Sequence, residues 1–395
     1  MSDPFLDQML ADWDKEDGLA QTQPSPISSQ PKKVVPIYQH VTSYVGAPSP
    51  IEQLNQYSLT GQSARLRRQM LIDKFVLNKI AILGQWTTIY GAPNSGKTLL
   101  TKWLLREALL SDEIDGESLY YINADDNYRG LVDKIELAEV WGMHVIAPHH
   151  NGFDIAQIAA LMSEMGHGGT ARGAVFILDT LKKFTDLMDK RAASEFGQVA
   201  RGFVSAGGTL IALAHTNKHP DAEGKRVYSG TSDIVDDSDC CFVIDKVSSE
   251  ERNGVTTHTV EFNNIKARGD VASTVGFTFE RRHGQSYEAL IDTVKRLERN
   301  DLDDIKGKAS VESELEHDAP IIEAICTVIT AGTVSKSKIV QKAHELSGKS
   351  SANVRKVLDK RTGEIFELGH RWRTRKQAHN RHVYEILPTH KKLNN

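Results

Sequence analysis

The sequence predicts an α/β protein, with a mostly parallel sheet flanked by helices and a small C-terminal α+β domain. Three observations carry that reading. Between residues 73 and 295, short β-branched and apolar runs alternate with helical segments, the pattern of parallel strands covered on both faces. A glycine-rich stretch, GAPNSGKT, falls between one such strand and one such helix. Residues 319–395 then change composition and become strongly basic.

Taken in order, residues 1–50 form an acidic arm. Phe5, Leu6, Met9, Leu10 and Trp13 would line one face of a short helix, and QTQPSPISSQP follows as a flexible stretch. The arm is either a tethered partner-binding motif, whose partner would be a replication protein not readable from the residues, or a tail with scattered apolar side chains. Residues 51–72 read as a helical linker or docking segment. Strands are expected at Thr87–Tyr90, Leu119–Ile122, Val175–Leu178, Leu210–Ala214 and Cys241–Ile244. Thr256–Ile265 and Ser273–Phe279, separated by KARGD, read as a hairpin at the end of the sheet. Charged residues with few apolar anchors make 296–318 a linker.

Composition limits the classes available. With 395 residues, 39% hydrophobic and 25% charged, the chain is long enough for two or three units and excludes a collagen, a rod or a wholly disordered chain. No run of about 18 apolar residues is present, and the N-terminus lacks the order of a signal peptide, so no membrane role and a cytoplasmic location are expected. Cys240, Cys241 and Cys326 have no metal-binding spacing and are read as reduced structural thiols. The net charge of −4 is uneven: residues 318–395 hold 15 Lys/Arg against 7 Asp/Glu, a balance of +8 that leaves −12 on the remainder. A basic end on an acidic body suits nucleic acid, and also suits a solvated face.

GAPNSGKT carries the chemistry. Glycines allow backbone N–H groups to close around phosphates, and a helix N-terminus offers partial positive charge. Gly91, Ala92, Pro93, Asn94, Ser95, Gly96, Lys97, Thr98 and Leu99 are therefore the expected nucleotide-binding residues, with Lys97 reaching the β/γ oxygens and Thr98 holding Mg²⁺. In AVFILDTLKKF an apolar strand delivers Asp179 at its C-terminal end, where ligands sit in open α/β sheets, as the second Mg²⁺ residue. LYYINADD delivers Asp125 and Asp126; Asp125 is either the base that orients the attacking water or a helix cap. The strand ending at His215 places a polar cluster where a γ-phosphate sensor would stand. No metal beyond Mg²⁺ is expected.

With the loop, the Asp125 strand, LDTLKKF, AHTNK and NIKARGD in this order, residues 70–282 resemble the RecA-like hexameric motor ATPases, most of all the plasmid RepA-type and DnaB-type replicative helicases. The resemblance implies ATP and Mg²⁺ as cofactors, a hexameric homo-oligomer and movement on single-stranded DNA in replication of a mobile element. It puts Asp125 where the family has a catalytic glutamate, a departure that shortens the reach by one methylene. It puts Asp179 on the Mg²⁺ aspartate, His215 on the sensor, and Lys266 and Arg268 on the basic pair that reaches a neighbouring subunit's ATP. Its DNA-contacting loops correspond to Lys182, Lys183, Lys190, Arg191, Lys225 and Arg226. The alternative is a related ATPase that does not unwind, such as a recombinase, loader or regulatory switch.

The tail, three helices followed by a charged strand pair, resembles a winged helix. The third helix would offer Arg355, Lys356, Lys360 and Arg361, and the wing Arg371, Arg373, Arg375, Lys376 and Arg381, to duplex or forked DNA. A protein-docking module fits the same order.

Overall fold

A computed structural model describes residues 49–69, 74–126, 128–217, 228–230, 232–333, 335–377 and 381–388. The expected N-terminal arm lies outside them except for its last two residues. The chain divides into two units at Gln69/Met70. In the first, the docking segment is two short helices, α1 (Pro50–Gln56) and α2 (Ser63–Gln69). A reciprocal capping box starts α1: the Ser49 hydroxyl accepts from the Glu52 N–H while Glu52 accepts from the Ser49 N–H.

The second unit opens with a small ribbon, β1 (Phe75–Leu77) and β2 (Ala81–Ile82), beside a nine-stranded sheet. The chain supplies β3 (Trp86–Gly91), α3 (Lys97–Leu110), β4 (Leu119–Asn123), α4 (Tyr128–Trp141), β5 (His144–Ile146), α5 (Ala156–Gly168), β6 (Val175–Asp179), α6 (Lys190–Ser205), β7 (Thr209–His215) and α7 (Asp233–Asp237). β8 (Cys240–Arg252), β9 (Val255–Lys266), β10 (Thr274–Arg282), α8 (Tyr287–Asp292) and β11 (Lys295–Leu297) complete the sheet, whose order is β11-β10-β9-β8-β3-β7-β6-β4-β5. β3 to β8 run parallel, and β9 to β11 add antiparallel strands at one edge. This is the predicted mixed α/β architecture, and all five expected strands and the hairpin form.

Strand alternation builds two cores. Ile89, Tyr121, Ile177 and Ile211 face one side with Leu99, Leu100 and Leu104 of α3; Trp86, Tyr90, Ile122, Phe176 and Leu210 face the other with Phe196, Ala200 and Phe203 of α6. Both faces being covered is why these strands read as continuous apolar runs.

The charged segment expected as a linker is helical. It is the first half of α9 (Arg299–Thr330), which runs through Pro320 without a break. Leu302 anchors the first half in the core and Lys306 pairs with Glu261 of β9 at 2.7 Å. The second half joins α10 (Lys336–Ser347), α11 (Ser351–Lys360), β12 (Trp372–Gln377) and β13 (Arg381–Ile386) in a separate core around Trp372. The third tail helix is shorter than expected. It ends at Lys360, and Arg361, its C-cap, turns inward, 2% exposed, where its guanidinium bonds Asp318 at 2.7 Å and lies 3.4 Å from Glu314 on α9. Arg361 is thus a structural residue and not part of an exposed basic face. Among the described residues no helix is long and apolar enough to cross a membrane, and all three cysteines are free.

Candidate functional site

The sheet's pairing brings the expected residues to one edge. Asn123 pairs with Asp179, Asp179 with Leu213, and Gly91 with His215, so the C-terminal ends of β3, β4, β6 and β7 lie level. The loop from Gly91 then folds back over the strand. A Cβ on Gly91 would crowd the Ser95 hydroxyl oxygen at 2.7 Å and the Lys97 side chain, and Gly96 adopts φ +89°, so the bend favours glycine at the first position and requires it at the second. Gly96 caps α3 without a side-chain bond, leaving the first-turn N–H groups without acceptors from a cap.

Lys97 is 7% exposed, and its ammonium donates to the carbonyls of Gly91 at 2.8 Å and Ala92 at 2.9 Å. Burial pulls it down to about 8, against Asp179 and Asp125, which hold it up. The Thr98 hydroxyl donates to Asp179 Oδ2 at 3.0 Å, and Tyr121 donates to the same oxygen at 2.6 Å. Thr98 and Asp179 thus offer paired oxygen donors beside the phosphate loop, a donor set suited to Mg²⁺. A cavity of about 330 Å³ opens along the loop, walled by residues 94–99, Asp126, Lys134, Arg281 and Tyr287.

Asp125 is exposed and lies 3.9 Å from Lys183. Asp126 instead pairs with Lys134 and accepts from Asn123 at 3.1 Å. His215 is half-buried; burial first, then Lys97 and Lys182, hold its imidazole below the ordinary value, so it is uncharged at neutral pH.

Lys266 and Arg268 sit away from this edge. Lys266 pairs with Cys241, which is level with Thr88, so it lies three residues short of the loop, about 10 Å along the strand. Its ammonium donates to the carbonyls of Val235 and Asp236, while Arg268 pairs with Asp239 at 3.3 Å and stays 57% exposed. Lys182, Lys183, Lys190 and Arg191 are all exposed, Arg191 pairing with Glu195. Lys225 and Arg226 lie outside the described residues. In the tail, Arg355, Lys356 and Lys376 are exposed; Arg373 and Arg375 both pair with Glu385, and Arg371 stacks on Phe366 at 4.0 Å.

Sequence reasoning missed Tyr121, Lys134 and Lys102. Lys134 shares the buried face of α4 with Leu131, Leu137 and Ala138, and a charge at that position in an apolar stripe was the readable signal. Lys102, on α3, is fully buried, with its nitrogen 5.2 Å from the Tyr121 ring centre and 5.1 Å from that of Tyr287. It has no hydrogen-bond acceptor among the described residues, and burial holds its amine well below the ordinary value.

No family model and no curated protein matches the chain. Among solved structures, a RadB recombinase is similar over 55% of this chain and 93% of its own, at 16% identity and a TM-score of 0.36, a likeness too slight to carry an inference.

Proposed function

We propose that the chain is a RecA-like ATPase that hydrolyses ATP with Mg²⁺ at this edge and works as a ring-forming helicase on single-stranded DNA, in replication of a plasmid, phage or other mobile element. One observation carries the nucleotide reading: a buried lysine held beneath a glycine loop, with a Thr98–Asp179 oxygen pair 3.0 Å apart at the adjoining helix start. Lys97 exchanges its two carbonyl partners for phosphate oxygens, and the first-turn N–H groups of α3 take the remaining charge. Thr98 and Asp179 would hold Mg²⁺, which when bound draws charge from the transferred phosphoryl group. Asp125 takes the proton of the attacking water, and Lys183 steadies it. His215, uncharged and beside Gly91, stands where loss of the γ-phosphate would be felt.

Lys266 and Arg268 do not reach the loop of their own chain, which supports their acting on the nucleotide of a neighbouring copy. The exposed lysines after β6 suit a phosphate backbone followed without base reading. The tail's exposed Arg355, Lys356 and Lys376 suit duplex or forked DNA. Exposure of Asp125, and its shorter reach, favour the second reading, a DNA-dependent ATPase that does not unwind.

The test is ATP-dependent displacement of a labelled strand from a forked duplex, with Lys97→Ala as control. Unwinding that the variant loses supports the helicase. DNA-stimulated hydrolysis without unwinding moves the chain to the second reading, and no hydrolysis under either condition overturns both.

A further inference from the structure

Lys134 points into this edge from α4, whose Gly130 and Asp133 line the same cavity. Its side chain is 6% exposed, so its ammonium needs partners, and it has three oxygens: Asp126 Oδ2 in a close ion pair, Asn123 Oδ1 at 3.1 Å and Asp179 Oδ2 at 3.5 Å. The ring of Tyr121 lies 5.4 Å from the same nitrogen. Asp179 Oδ2 therefore faces a lysine ammonium as well as the hydroxyls of Thr98 and Tyr121.

We propose that Lys134 is a built-in counter-ion of the metal site, balancing Asp126 and Asp179 in the nucleotide-free protein, so that a divalent cation enters only as its complex with a triphosphate. This rests on the nucleotide reading above and deepens it. Around the loop, Lys97, Lys134 and Arg281 face Asp126, Asp133 and Asp179, so the cluster has no net negative charge to attract a free cation. A divalent ion approaching Asp179 alone meets an ammonium already seated at the same carboxylate, and at such separations their repulsion is strong even in partly screened surroundings. A triphosphate brings its own negative charge and its own oxygen ligands, which suits an ion that prefers one or two carboxylates together with phosphates. Lys134 also fixes which carboxylate oxygen is committed, since its contact and the two hydroxyl bonds all fall on Oδ2.

The experiment titrates full-length protein with Mn²⁺ in the absence of nucleotide, reading free Mn²⁺ by electron paramagnetic resonance. Wild type and Lys134→Arg should bind weakly, and Lys134→Met about tenfold or more tightly than either. Adding Asp126→Asn to Lys134→Met restores the charge balance and should return binding to the wild-type level. A folded Lys134→Met that binds Mn²⁺ no more tightly than wild type overturns the proposal, as does tight nucleotide-free binding by wild type. If Lys134→Met does not fold, Lys134→Gln keeps a donor for Asp126 without the charge and carries the same two outcomes. A parallel titration with fluorescent ADP separates the two claims. No nucleotide binding by wild type sinks the nucleotide reading, whereas nucleotide binding with unchanged metal affinity in the variant sinks the counter-ion alone.

Discussion

Replacing Lys102 by methionine should make the nucleotide-free protein more stable. The amine is fully buried with no acceptor among the described residues, and two aromatic faces are its nearest polar relief. A desolvated cation over an aromatic ring gains about 2 kcal/mol, so two rings offer about 4 at most. Desolvation, with Lys134 beside it, outweighs these rings and the pull of Asp179, Asp126 and Asp133, so the charged form is disfavoured and the amine lies well below its ordinary value. Holding it neutral at pH 7, against an ordinary value of 10.5, costs up to about 5 kcal/mol. Methionine has similar length, no donor to leave unsatisfied and the flexibility to fill the same space. The expected gain is about 2 to 5 kcal/mol at pH 7, read from urea unfolding followed by circular dichroism. The sign of the pH dependence is also fixed. The unfolded chain keeps the proton up to 10.5 while the folded chain releases it earlier, so wild-type stability rises with pH across that window and the variant's does not. The advantage of Lys102→Met should therefore shrink, by up to about 1.4 kcal/mol per pH unit, as pH approaches 10. A variant no more stable at pH 7, or an advantage that ignores pH, would refute the neutral amine and leave a charged lysine clasped between the rings.

Nucleotide affinity should fall as pH rises through about 8, where Lys97 loses its charge, by at most about tenfold per pH unit; fluorescent-nucleotide titration reads this, and a flat profile counts against Lys97 as the phosphate partner. Tyr121→Phe removes the 2.6 Å bond to Asp179 and should cost about 1 to 3 kcal/mol of stability, the worth of a hydrogen bond to a charged group, although Thr98 still donates to the same oxygen; thermal unfolding is the assay. Arg361→Leu should destabilise the tail module by about 1 to 3 kcal/mol, because the half-buried Asp318 loses its charged partner; a change within a few tenths of a kcal/mol would show that the pair is dispensable.

The sheet was legible because parallel strands buried on both faces leave unbroken apolar runs, and the loop was legible because its geometry admits so few residue types at Gly91 and Gly96. What escaped reading was tertiary. Tyr121 and Lys134 join Asp179 only once β4, β6 and α4 are assembled, and nothing in their neighbourhoods in sequence names that meeting point. The charges before Pro320 read as a linker because so few apolar anchors lie among them, and proline itself offers no N–H to the carbonyl of Glu316. The helix persists because it is held from outside, by Leu302, Lys306 and Arg361 on one side of the proline and by the tail core on the other. Arg361 looked like one more cation in a basic run, and only its inward turn separates it from Arg355 and Lys356.

That helix has a mechanical meaning. Thirty-two residues of α-helix span about 48 Å, and α9 is fastened to the antiparallel margin of the sheet at its start and built into the tail core at its end. The antiparallel strands and the basic module are therefore joined by helix alone, without an intervening loop. The tail is not on a leash; it is the far end of one continuous helix rooted at the edge of the sheet.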